Sequence, residues 1–179
     1  MKALDKVARN WPSLQAIIRG ADPEQFGPRL VLYTDGSCFR NGSIYASAGF
    51  GVYIFDDHEW NASEPLPGRD QSNQKAELCA ILWALVIGRR HKNIVIISDS
   101  EYAIFSGTTW REARKWDAVL HPKNVLKPVK YQNEIDALGE LLDERKFLRL
   151  GSIQMRWVKG HAGVPGNEKC DELAKKGAQ

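Results

Sequence analysis

No stretch of the 179 residues is apolar for long enough to cross a membrane as a helix. The N-terminal MKALDKVARNW carries basic residues but no secretory apolar core, and Asp5 weakens a mitochondrial-leader reading. Cytosolic or nuclear residence is therefore expected, with mitochondrial targeting as the alternative. Cysteine is scarce: only Cys38, Cys79 and Cys170 are present. An odd number without paired spacing argues against a disulfide framework and a cysteine-based zinc site, and fits a reducing compartment. Charge of one sign is scarce too, since Lys and Arg exceed Asp and Glu by only three. That excess announces no polyanionic partner, so the distribution of charge matters more than its total. Fixed-period repeats and low-complexity tracts are absent, which excludes solenoids and linker arrays. What remains is a chain 43% hydrophobic, sufficient for one packed domain.

The chain opens with a preface, residues 1–29. Trp11, Leu14, Ile17 and Ile18 fall at helical spacing before Gly20 and Pro23 stop the pattern, which predicts a short docked helix or an arm. The domain proper spans 30–179. LVLYTD, SAGFGVYIF and EWNASEPL read as three strands, the last two joined by a turn at Asp56-Asp57-His58. From Ser72 the period changes. KAELCAILWALVIG is apolar almost all round, as a helix buried against a sheet must be. NIVIISDS is a continuous apolar run of strand length, the pattern of a central strand covered on both faces. Helices are predicted near 101–107 and 110–117 and beyond Pro128, then a strand at SIQMRWV and a last helix. Asn167 is placed to cap that helix, and Gly177 to end it. Antiparallel strands followed by strand–helix alternation imply an α/β fold, a mixed sheet with helices on both faces.

Acidic residues mark the borders of these core elements. Asp35 closes LVLYTD, on the face of Val31 and Tyr33, and Asp99 closes the NIVIISD run. Glu77 is the one acid inside the apolar helix, and Asp171 follows the glycine-rich loop that carries His161. Each has an ordinary structural reading, as a turn, cap or helix-dipole residue. Convergence would change that, because clustered carboxylates must take up protons or cations. Oxygen-only ligands suit Mg²⁺ or Mn²⁺. Two such ions about 4 Å apart can clamp the attacking and leaving oxygens of a phosphodiester.

TDGSC at 34–38, SNQKAEL at 72–78, SDSEY at 98–102 and VKGHAGVPGNEKCDELA at 158–174 together resemble the four motif blocks of the type 1 ribonuclease H family, in order and spacing. The resemblance spans 30–178. It implies a five-stranded mixed sheet in the order 3-2-1-4-5 with strand 2 antiparallel, and hydrolysis of the RNA strand of RNA–DNA hybrids to 3′-hydroxyl and 5′-phosphate ends. It maps the metal-binding carboxylates onto Asp35, Glu77, Asp99 and Asp171, holding two Mg²⁺ (or Mn²⁺), and the mobile proton-carrying histidine onto His161. All five residue types are retained, which favours an active enzyme, expected as a monomer with no membrane contact.

The resemblance also assigns the substrate. Gly36, Ser37 and Cys38 would lie along the RNA, Asn41 and Asn73 toward the DNA strand, Gln74 toward base edges or the 2′-hydroxyl side, and Ser72 on a DNA phosphate. The segment 110–130 holds six Lys or Arg against two acids. It resembles the family's basic protrusion, with Trp110, Arg111, Lys115 and Trp116 gripping the DNA backbone; a solvated basic face with core tryptophans is the ordinary reading. The pattern departs at the phosphate pocket, where the family's asparagine falls on Tyr131 and Asn124 or Asn133 are the nearby substitutes. Two other functions stay open: another metal-dependent nuclease of the same superfold, and a noncatalytic hybrid-binding module.

Overall fold

The computed structural model describes Trp11, Leu14 and residues 28–120 and 129–179, with the backbone alone for 115–118. Its sheet is built from β1 (Leu30–Phe39), β2 (Ser47–Tyr53), β3 (Ala62–Pro65), β4 (Asn93–Ser98) and β5 (Ser152–Trp157). The strands lie in the order β3-β2-β1-β4-β5. β2 runs antiparallel to β1 and β3, while β1, β4 and β5 are mutually parallel. The mixed sheet implied by the motif order is therefore present.

Among residues 28–179 the described α-helices are α1 (Asn73–Ile87), α2 (Glu101–Gly107), α3 (Thr109–Leu120), α4 (Gln132–Phe147) and α5 (Pro165–Gly177). α1 is uniformly apolar because it is enclosed: every residue from Ala76 to Ile87 is buried. Ser72 starts it, its hydroxyl accepting from the Lys75 N–H at 3.3 Å. α1 and α5 cover opposite faces of the sheet. A side chain at Gly36 would run into Ala76 and Glu77 of α1, whereas Tyr33 lies against Gly166 of α5. Positions an odd number apart on a strand point to opposite faces.

The core centres on Phe50 and Trp83, whose rings meet edge to face at 5.4 Å. Trp11 completes the group, 5.3 Å from Phe50 and 5.6 Å from Trp83. The preface thus contributes Trp11 and Leu14 to the core; Ile17 and Ile18 lie outside the described residues.

Three local expectations are corrected. β1 does not end at Asp35. It continues to Phe39 because β2 offers a ladder as far as the Phe39–Ser47 pair, although β4 stops opposite Thr34. β3 is shorter than EWNASEPL, as the turn through His58 takes up its first residues: Asn61 N–H bonds the His58 carbonyl at 2.9 Å. Asn167 does not cap α5. Val164 occupies that position, Pro165 takes the first turn, and Gly177 is the last helical residue before Ala178.

Candidate metal centre

The parallel register places Thr34 beside Ser98, so the residues that follow emerge together at one edge of the sheet. Asp35 continues along β1; Asp99 leaves β4 for α2. α1 packs against β1 closely enough that only glycine is accommodated at 36, and this approach delivers Glu77 to the same place. One carboxylate oxygen from each of Asp35, Glu77 and Asp99 lies within 4.8 Å of the others. Residues distant in sequence thus form one acidic group, with Asp35 and Glu77 buried.

Each carboxylate has a donor, but too few for its lone pairs. The Gly36 N–H donates to Asp35 Oδ1 at 2.8 Å, Asn73 Nδ2 to Glu77 Oε1 at 3.4 Å, and Asn167 Nδ2 to Asp99 Oδ2 at 3.1 Å. Glu77 Oε2 is buried without a donor. Burial, reinforced by the Asp99 and Asp171 charges, pushes Asp35 up to about 7. Burial and then the Asp35 charge push Glu77 well above the ordinary carboxylate range. Such a group holds protons or binds a hard cation. The orphaned oxygen and the all-oxygen donor set fit a divalent ion of that kind.

Asp171 lies outside the three-residue group. Its Oδ2 accepts from Lys175 Nζ at 2.6 Å, one turn along α5, though its charge reaches Asp35. His161 is exposed on the loop before α5 with left-handed backbone, φ 52°. Gly160 backs directly onto Asp99: a Cβ there would stand 2.6 Å from Asp99 Oδ2. The histidine loop and the acidic group are therefore adjacent.

The remaining predicted residues divide. Ser37 and Cys38 are half-buried on the β1 extension. Asn41 reaches back from the hairpin tip, its Oδ1 accepting from the Asn73 N–H at 3.4 Å. Gln74 is exposed beside them. Ser72 already has two tasks, capping α1 and bonding the Tyr131 hydroxyl at 2.6 Å. Tyr131, in place of the family's asparagine, is buried with φ 60° and stacks edge-on against Tyr102. Asn133 is exposed. Trp110 is half-exposed and packs against Tyr102 and Phe105. Arg111 is turned toward α4, where it is bidentate to Asp143 at 2.6 and 3.2 Å; in this position it ties α3 to α4. The side chains of Lys115 and Trp116, and Asn124, lie outside what is described.

Sequence reasoning missed Asn167 as a neighbour of Asp99. The signal was available: Asn167 precedes Asp171 by four, so both lie on one face of α5. It also missed Trp157, whose indole Nε1 donates to the Asp99 carbonyl at 2.9 Å.

The chain matches the family model "RNase H" over residues 27–179. It is 39% identical over 150 residues to a ribonuclease H of Schizosaccharomyces pombe, covering 84% of this chain and 53% of that protein. It is 35% identical over 153 residues to the ribonuclease H of Actinobacillus succinogenes, covering 84% and 90%. The solution structure of the prototype foamy virus RNase H domain superposes with a TM-score of 0.60 at 24% identity, covering 83% of this chain and 93% of that one. The chain spans about half the length of its eukaryotic relatives. The match takes in the whole sheet and the five helices named above: the chain belongs to the RNase H family.

Proposed function

We propose that the protein is a metal-dependent endoribonuclease that hydrolyses the RNA strand of RNA–DNA hybrids, leaving 3′-hydroxyl and 5′-phosphate ends. One observation carries the reading. Three carboxylates contributed by β1, α1 and the end of β4 converge within 4.8 Å around a buried oxygen that has no donor. Asp35, Glu77 and Asp99, with Asp171 released from Lys175, would hold two divalent cations. Bound there, Mg²⁺ or Mn²⁺ supplies Lewis-acid chemistry at the scissile phosphate.

The chain's own groups do the rest. Asn73 and Asn167 orient the Glu77 and Asp99 carboxylates. His161, exposed beside Asp99, takes or gives a proton at an imidazole nitrogen as the leaving oxygen departs. The β1 extension through Gly36, Ser37 and Cys38 would offer a shallow surface to the RNA, the linked pair Asn41 and Asn73 would face the DNA strand, and Gln74 would reach base edges or the 2′-hydroxyl side. A minor groove that carries 2′-hydroxyls on one strand alone is what such small polar groups can select. Trp110, together with Lys115 and Trp116, would grip the duplex backbone, as the resemblance to the family's basic protrusion implies. Arg111 contributes by bracing α3 through Asp143.

One labelled hybrid, incubated with Mg²⁺ or with EDTA, tests the proposal. The RNA strand should be cut only with Mg²⁺, and the DNA strand in neither case. Cutting of the DNA would identify a different nuclease of this superfold. Tight binding with no cutting in Mg²⁺ or Mn²⁺ would identify a noncatalytic hybrid-binding module.

A further inference from the structure

Trp157 ends β5, paired in parallel register with Ser98. Asp99 and Ser100 alone separate β4 from the helix α2. Across that junction the backbone acceptors are used in turn: the Ser98 carbonyl takes the Val158 N–H at 3.0 Å, and the Ser100 carbonyl takes the Ile104 N–H at 3.2 Å. The Asp99 carbonyl falls between ladder and helix. The Trp157 indole N–H fills that gap at 2.9 Å, fixing the peptide plane that follows Asp99. The same residue's carboxylate is held by Asn167 from α5 and bounded by Gly160. Asp99 is thus gripped at its backbone from β5 and at its side chain from α5. The indole is half-exposed, so hydrophobic burial alone does not account for a tryptophan here. His161 follows Trp157 by four residues, and the indole therefore also ties the root of the histidine loop to the acidic group.

We infer that Trp157 is a positioning residue for the metal centre: its indole N–H fixes the backbone of Asp99 and so aims the Asp99 carboxylate at the cation. This rests on the proposed metal-dependent activity. Partners behind a ligand usually change metal affinity by about tenfold or more when removed. Trp157→Phe keeps the aromatic ring and removes the donor.

Manganese binding to the free protein, followed by calorimetry without substrate, reads the effect directly. The Mn²⁺ dissociation constant of Trp157→Phe should rise about tenfold, with its melting temperature in EDTA within about 2 °C of the parent, a shift below ~1 kcal/mol. In cleavage assays the Mg²⁺ half-saturation should rise in step while kcat at saturating Mg²⁺ recovers. An unchanged Mn²⁺ constant overturns the inference, as does a melting temperature that falls by more than that while the affinity stays put. The parent supplies a second measurement that does not depend on the variant folding. Its Trp157 indole N–H resonance should be protected from exchange and should shift on addition of Mg²⁺; free-indole exchange with no shift counts against the contact. A parent that binds Mn²⁺ but cuts no hybrid defeats the proposed activity and leaves the positioning role standing.

Discussion

At the scale of single residues, the acidic group and the histidine differ in kind. Asp35 is buried and its charge is opposed by Asp99 and Asp171, so it is costly to ionise without a cation beside it. His161 is exposed and makes no part of that repulsion. The two substitutions should therefore separate. Asp35→Asn removes one ligand charge and should abolish hybrid cleavage while weakening Mn²⁺ binding by about tenfold or more. His161→Ala should lower kcat by about 10²-fold or more, the usual contribution of a positioned proton carrier, and leave the Mn²⁺ dissociation constant unchanged. Calorimetry and single-turnover cleavage on both variants check this. A His161→Ala protein that loses metal binding would place the histidine among the ligands instead.

Among elements, β4 and β5 are tied together at the end of the sheet away from the acidic group. Arg145 of α4 is buried there and donates to the carbonyls of Arg89, His91, Lys92, Leu150 and Ser152, at 2.6 to 3.3 Å. These carbonyls lead into both strands, and burial lowers the tendency of the guanidinium to stay charged. Arg145→Met would leave several of them without a donor, at a cost of about 3 kcal/mol or more. Thermal unfolding should fall by about 6 °C or more, at roughly 2–4 °C per kcal/mol for a chain of this size. Cleavage per folded molecule at low temperature should hold. An unchanged melting temperature would show that water replaces the guanidinium without loss. Nothing in the sequence marks Arg145: on a helix with charged neighbours it reads as surface, and its acceptors lie up to 56 residues away. The Arg111 ion pair is hidden for the same reason, because its partner Asp143 is 32 residues distant. Asp35, Glu77 and Asp99 were legible for the opposite reason. A charge set against an apolar strand or helix contradicts its local pattern, and such contradictions collect at functional sites. The strands and α1 were legible from period alone. The length of β1 was not, since residues 36–39 are held by the β2 ladder and not by their own propensity.

For the molecule as a whole, the acidic group sets metal-free stability against function. The Asp35 carboxyl titrates near 7 in the folded chain against an ordinary value of 3.8. Between these values the folded state holds more protons than the unfolded state, so unfolding free energy falls as pH rises, by up to about 1.4 kcal/mol per pH unit for one such group. Glu77 is shifted in the same direction by burial and by Asp35. His58 acts oppositely: burial lowers its affinity for protons, so folding is favoured as pH rises through its range. The raw pH profile therefore mixes signs, and a difference between two proteins isolates the acidic group. In EDTA, Asp35→Asn should match the parent near pH 4 and exceed it in melting temperature by a margin that widens to pH 8. Mg²⁺ should narrow that margin at pH 8, because cation binding stabilises more strongly the chain that retains all its ligands and competes with protons that are then gone. Thermal melts of both proteins from pH 4 to pH 8, with and without Mg²⁺, measure this directly. Parallel curves in EDTA would mean that Asp35 ionises in the folded chain as easily as in the unfolded one. The crowding of Asp35, Glu77 and Asp99 would then carry no energetic demand for a cation.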